Sequence, residues 1–212
     1  MVTQPSVWTV IVAAGSGTRF GGAKQYLELA GIRVVDRSVA VAAQVSDGVV
    51  VVVPASHVAA ESARLAADSV VAGGSSRAAS VRNGLGAVPH DADIICVHDA
   101  ARPLASSAVY ERVIDEVRSG AAGAVPVVPV TDTIRRVDGG AVDRSTLQAV
   151  QTPQAFRADL LRRAHTDAAD ATDDASLVEA AGHAVVAVEG HPRNIKITHP
   201  DDLAAAEAWL AP

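Results

Sequence analysis

The chain has 212 residues, 49% of them hydrophobic and 20% charged, with a net charge of −6. That much apolar material builds a sizeable core and excludes wholesale disorder. The acidic balance argues against a nucleic-acid-binding or membrane-surface protein, whose footprint is a basic excess.

Aromatic residues make up only 3%, so Val, Ala, Leu and Ile must fill the interior. The opening Met1-Val2-Thr3-Gln4-Pro5 lacks the basic and apolar segments of a signal peptide. No apolar run approaches the roughly 20 residues of a membrane span, and a cytoplasmic protein is expected. In chain order, Val7–Ala13, Gly48–Val53, Ser69–Ala72, Ile94–His98 and Ala121–Val127 read as strands: short, Val-rich and bounded by turn residues. Between them, Val35–Val45, Ala55–Ala67, Arg77–Ala87 and Ser106–Arg118 read as helices, with Ser106 as an N-cap and Gly120 as a stop. Cys96, the single cysteine, sits in an apolar run and reads as core. This alternation predicts an α/β fold, a parallel doubly wound sheet with right-handed crossovers.

The rhythm breaks after Val130. Thr131–Val137 and Ala141–Ala149 flank Asp138-Gly139-Gly140, a hairpin turn signal. A hairpin with so little core of its own must pack on something else, a partner subunit being one candidate. Beyond it, Arg157–Ala169 and Asp174–Ala181 read as helices, Ala184–Val188 as a strand and Pro200–Leu210 as a closing helix.

Ligands of doubly wound sheets sit beyond the carboxyl ends of the strands, and four motifs fall in such places. Ala13-Ala14-Gly15-Ser16-Gly17-Thr18-Arg19 leaves the first strand, with Lys24 close behind. Glycines there let backbone N–H groups approach phosphate oxygens, and Arg19 and Lys24 would neutralise the charge. The segment lacks the Gly-Lys-Ser/Thr ending of the P-loop and the third glycine of the dinucleotide fingerprint. Lys24 and Lys196 are the only lysines in an Arg-rich chain, and a compact ammonium on a flexible stem suits a crowded phosphate. Gly73-Gly74-Ser75-Ser76-Arg77-x-x-Ser80 places small residues and a cation at a helix start, for base or phosphate recognition or simply for a capped turn. In His98-Asp99-Ala100-Ala101-Arg102-Pro103, Asp99 just past a buried strand suits Mg²⁺, while His98-Asp99 also reads as a structural pair closing the strand. Thr172 or Asp173 reads as the N-cap of the helix that follows. No zinc spacing and no nucleophile–base–acid triad emerges from the scattered histidines.

Together these segments, with Lys24-Gln25-Tyr26-Leu27, Asp132-Thr133, Thr152-Pro153-Gln154, Thr172-Asp173-Asp174-Ala175-Ser176 and Asn194-Ile195-Lys196, resemble the 2-C-methyl-D-erythritol 4-phosphate cytidylyltransferases of the non-mevalonate isoprenoid pathway. The likeness runs in family order from about Val10 to Leu210. It implies a Rossmann-like nucleotidyltransferase domain over residues 1–212, carrying a β-arm at about 130–151. It also implies a homodimer in which each arm completes the partner's site, and a reaction of CTP with methylerythritol phosphate that needs Mg²⁺ and releases pyrophosphate.

By the same resemblance, Arg19 and Lys24 are catalytic, and the backbone from Ala13 to Thr18 cradles the triphosphate. Gly73, Gly74, Arg77 and Ser80 bind the nucleotide, and Asp99 faces both it and the metal. Arg102, Thr152, Thr172 and Lys196 line the second substrate's site, with Thr133 and Arg144 reaching in from the partner subunit. The sequence departs from the family pattern at Ala23 and Val12, where the family has Pro, at Ser75, where it often has an acid, and in a shorter stretch between Arg19 and Lys24. A ribitol 5-phosphate cytidylyltransferase shares most of these motifs, and a nucleotide-binding regulator without turnover is the reading from another class.

Overall fold

The computed structural model describes residues 4–18, 20–166 and 173–211. Two residues singled out above, Arg19 and Thr172, lie outside them.

Strand β1 (Val7–Val12) is followed by a 3₁₀ turn (Lys24–Tyr26), a two-rung hairpin, β2 (Glu28–Leu29) and β3 (Ile32–Arg33), and then α1 (Val34–Val45). There follow β4 (Gly48–Val53), α2 (Val58–Ser62), β5 (Ser69–Ala72), α3 (Arg77–Ala87), β6 (Ile94–Asp99), α4 (Ser107–Arg118) and β7 (Gly123–Pro129). The chain then forms β8 (Ile134–Arg135), β9 (Ala141–Val142), β10 (Gln148–Val150), β11 (Gln154–Arg157), α5 (Ala158–Thr166), α6 (Asp174–Ala180), β12 (Val185–Glu189) and α7 (Pro200–Leu210).

The sheet is mostly parallel. β1 lies between β4 and β6, and β5 pairs with β4, all in parallel. β11 runs antiparallel between β6 and β7, β12 joins β7 in parallel, and β10 pairs antiparallel with the outer part of β7. All six residues of β4 are buried, because helices cover both faces. Successive side chains point to opposite faces, so Val49, Val51 and Val53 pack with α1 and α4 residues such as Val39, Tyr110 and Ile114. Val50 and Val52 pack instead with Val81 and Leu85 of α3 and Leu161 of α5. A run of valines is what a doubly covered parallel strand requires.

Three elements differ from the sequence expectation. The segment expected as the helix Ala55–Ala67 keeps only a 3₁₀ turn and α2. The chain turns after Ser62 so that Leu65 enters the core and the Asp68 carboxylate accepts the Val49 N–H at 2.8 Å. The expected two-strand hairpin is confined to β8 and β9, because Gln148–Val150 leaves it to pair with the edge of β7. Gln154–Arg157, where no strand was expected and Arg157 was read as the first residue of a helix, is the strand β11. Its Ala155 and Phe156 are fully buried between β6 and β7, a placement that four residues of mixed composition do not signal.

Candidate active site

The carboxyl ends of β1, β5 and β6 open onto a cavity of about 480 Å³. Its walls are the loop from Val12 to Thr18, Lys24 and Gln25, the turn Gly74–Arg77 with Ser80, the segment Asp99–Ala101, and Lys196. Residues far apart in the chain, Lys24 near the first loop and Lys196 near the last helix, thus face one space.

Local chemistry shapes each wall. Gly17 has φ +67°, and a Cβ there would overlap the Gly22 carbonyl, so only glycine fits. Gly15 lines the cavity and meets nothing where its Cβ would be. The buried Gln25 side chain donates to the carbonyls of Ala13 (2.9 Å) and Gly15 (3.2 Å), tying the turn that carries Lys24 back onto the glycine loop. Gly73 packs so closely on Ala14 that a Cβ would overlap that residue's own. Ser76 caps α3 by accepting the Ala79 N–H. The Ser80 hydroxyl accepts the Gly74 N–H at 3.1 Å and donates to the Ser76 carbonyl, which sets the shape of the Gly-Gly turn.

Asp99 is the one acid among the described residues lining the cavity. Its carboxylate receives Lys196 Nζ at 2.6 Å and Arg77 Nε at 3.2 Å. Burial alone would push this carboxyl up, but the cations Arg77 and Lys196 outweigh it and hold it well below the usual carboxylate range. Arg77 reaches on with Nη1 to Asp174 at 2.8 Å, and Asp174 in turn holds His165 Nε2 at 2.9 Å. Burial works against the Arg77 charge, and the two carboxylates more than compensate. Lys196 is set in place because the N–H of Ile197 donates to the carbonyl of Ala101 at 2.8 Å.

Behind Asp99 runs a second chain of contacts. The Asp99 N–H donates to Thr152 Oγ1 at 3.1 Å, and that hydroxyl lies 3.0 Å from His98 Nδ1. His98 Nε2 lies 3.2 Å from the Arg102 carbonyl, which can only accept. The consistent tautomer is neutral His98 with its proton on Nε2, and the Thr152 hydroxyl donates to Nδ1. Burial pushes the His98 imidazole down to about 4, in keeping with that assignment.

The sequence-derived site residues therefore fall into groups. Ala13 to Thr18, Lys24, Gly74, Arg77, Ser80, Asp99 and Lys196 line the cavity, with Gly73 directly behind. Thr152 is buried and braces Asp99 from below. Arg102 spends its guanidinium on the carbonyls of Asn194 (2.7 Å) and Val150 (3.3 Å), joining two strand-end segments. Thr133 and Arg144 are exposed on the β8–β9 arm, where Arg144 donates to the Thr131 carbonyl, and neither lines this cavity. Sequence reasoning did not name His165, and it quoted Gln25 and Asp174 only within segments of the family resemblance, giving neither a role of its own in the site. The signal for Gln25 was its place in the Lys24–Leu27 segment; the His165–Asp174 contact had none.

A family model described as IspD, 2-C-methyl-D-erythritol 4-phosphate cytidylyltransferase, matches residues 7–212. The chain belongs to the IspD family. It is accordingly a nucleotidyltransferase of isoprenoid precursor biosynthesis, and its Rossmann-like sheet is that of the IspD enzymes. It is 47% identical to the 2-C-methyl-D-erythritol 4-phosphate cytidylyltransferase of Rhodococcus jostii, covering 96% of this chain and 95% of that one. It is 43% identical to the bifunctional enzyme IspD/IspF of Solidesulfovibrio magneticus over 98% of this chain, and it spans 58% of that longer relative. Among solved structures, the cytidylyltransferase of Thermus thermophilus superposes with a TM-score of 0.81 at 36% identity, covering 98% of each chain. No helix among the described residues is long and apolar enough to cross a membrane.

Proposed function

We propose that this cavity binds CTP and 2-C-methyl-D-erythritol 4-phosphate and transfers the cytidylyl group between them. An oxygen of the alcohol's phosphate attacks the α-phosphorus of CTP, the bond from that phosphorus to the bridging oxygen breaks, and pyrophosphate leaves. Such a reaction asks little covalent chemistry of the protein; placed positive charge and oriented N–H groups do most of the work. The observation that carries the proposal is the shared cavity, in which Lys24, the glycine loop and Lys196 face one space large enough for a nucleotide.

In this reading the peptides from Ala13 to Thr18 hold the triphosphate, and Lys24 stabilises charge that builds on the α-phosphate, joined by Arg19. Gly73, Gly74 and Ser80 form a rigid edge for the cytosine, and Lys196 orients the alcohol phosphate, joined by Thr172. Mg²⁺ suits a site in which Asp99, the one acid among the described lining residues, stays ionised, because that ion is usually held by one or two carboxylates plus substrate phosphates. It would supply further charge neutralisation on the phosphates. Thr133 and Arg144 stand exposed on an arm that bears the fully exposed Val137. That arrangement supports a homodimer in which the arm completes the partner's site. Because the reaction draws on CTP, we place it in the cytoplasm.

The test is pyrophosphate release with CTP, Mg²⁺ and methylerythritol phosphate, against ATP, GTP and ribitol 5-phosphate controls. Turnover is expected only with CTP and methylerythritol phosphate. Equal or faster turnover with ribitol phosphate would reassign the alcohol, and nucleotide binding with no turnover would refute catalysis.

A further inference from the structure

Asp174 and His165 form a buried pair that the cavity itself does not explain. Their side chains are 1% and 2% exposed, and they sit behind Arg77 rather than in the cavity. Burying a carboxylate costs several kcal/mol unless it is fully paired, and apolar residues of similar size would serve stability as well or better. Both oxygens of Asp174 are engaged: Oδ1 by His165 Nε2 at 2.9 Å and Oδ2 by Arg77 Nη1 at 2.8 Å. A carboxylate held on both oxygens cannot rotate. The start of α6, which bears Asp174, is itself stitched to β11: the buried Gln154 accepts the Ala175 N–H and donates to Asp173. Asp173 also caps the helix through the Ser176 N–H.

We propose that Asp174 is a positioning residue for Arg77, with His165 as the anchor that fixes it. Arg77 stands between two carboxylates, Asp99 on the cavity side and Asp174 behind. Without the rear carboxylate the guanidinium is free to swing forward over Asp99 and into the space taken by the nucleotide. With it, Arg77 presents only Nε to Asp99, and the Asp99 carboxylate keeps lone pairs for ligand. This inference rests on the cytidylyltransferase reading, since the ligand concerned is CTP.

The experiment is a double-mutant cycle read as KM for CTP and kcat, with wild-type turnover as the control on the functional reading itself. D174N is expected to raise KM for CTP by about tenfold to a hundredfold, the range for a small misplacement of a binding group. KM for methylerythritol phosphate should stay within a factor of about three, since Asp174 would act through a nucleotide-side group. R77Q/D174N should be no worse than R77Q alone, because Asp174 acts only through Arg77. H165L should follow D174N, while H165Q, whose amide donates to Asp174 from the same position, should recover part of the loss. If D174N fails to fold, the R77Q and H165L variants and their double form the same cycle. Additive effects with R77Q, or a lowered melting temperature with unchanged KM for CTP, would overturn the proposal. A wild-type protein without turnover would instead refute the functional reading.

Discussion

Acidification should weaken the fold through His98. The imidazole is fully buried, and burial lowers it from 6.5 to about 4. A group depressed on folding contributes stability that is fully present above its unfolded value and is lost as pH falls towards its folded one. At pH 7 both states are largely neutral. At pH 5 the unfolded imidazole is about 1.5 pH units below its pKa and protonated, whereas the folded one remains neutral, so the unfolded state gains about 2 kcal/mol. Below about pH 4 this contribution stops growing. The geometry explains the penalty: Nε2–H is committed to the Arg102 carbonyl, and Nδ1 takes the Thr152 hydroxyl proton. The assay is urea unfolding of the wild type and H98Q at pH 7 and pH 5. The wild type should lose about 2 kcal/mol more than H98Q between the two pH values. Equal losses would mean that His98 does not hold a depressed pKa, and the tautomer assigned to the Thr152 contact would fall with it.

Thr152→Val strips the hydroxyl that accepts the Asp99 N–H and serves His98. Leaving those groups unpartnered costs about 1–3 kcal/mol each, so thermal melting should show a clear loss that Thr152→Ser avoids. Gly73→Ala places a methyl on top of the Ala14 methyl. Overpacking of about 1–3 kcal/mol should push the glycine loop outward, and calorimetry should find weaker CTP binding; unchanged affinity would show that the loop is not held there. Verified heterodimers of K24A and R144A subunits should regain activity that neither homodimer has. In the proposed homodimer one of the two sites then combines an intact cavity with an intact arm, and no recovery would refute the proposed arm exchange. Lys24→Ala by itself should lower kcat strongly while the proposed homodimer persists; a fall of less than about threefold amounts to under about 1 kcal/mol of transition-state stabilisation and would refute the role.

Much of the fold was legible because its signals are local. The valines of Gly48–Val53 mark a strand covered on both faces, and Ser76 marks the start of α3 through a bond three residues away. The Gly15–Thr18 turn and Asp99 were legible in the same way, as unusual residues just past buried strands. By contrast β11 is a strand only because β6 and β7 lie on either side of it, and Gln148–Val150 left the expected hairpin because β7 offered a free edge.

Sequence by itself settled the alternation of the main strands and helices from β1 to β7, the glycine loop and which cations were candidates, since these depend on propensities and spacings within a few residues. Tertiary structure alone decided the pairings. Lys196 meets Asp99 and Arg77 meets Asp174 across 97 residues in each case, and Thr152 was moved from the cavity to the support beneath Asp99. Charge pairs and buried hydrogen bonds depend on distances of about 3 Å, and only the packing of the whole sheet sets such distances between residues so far apart in the chain.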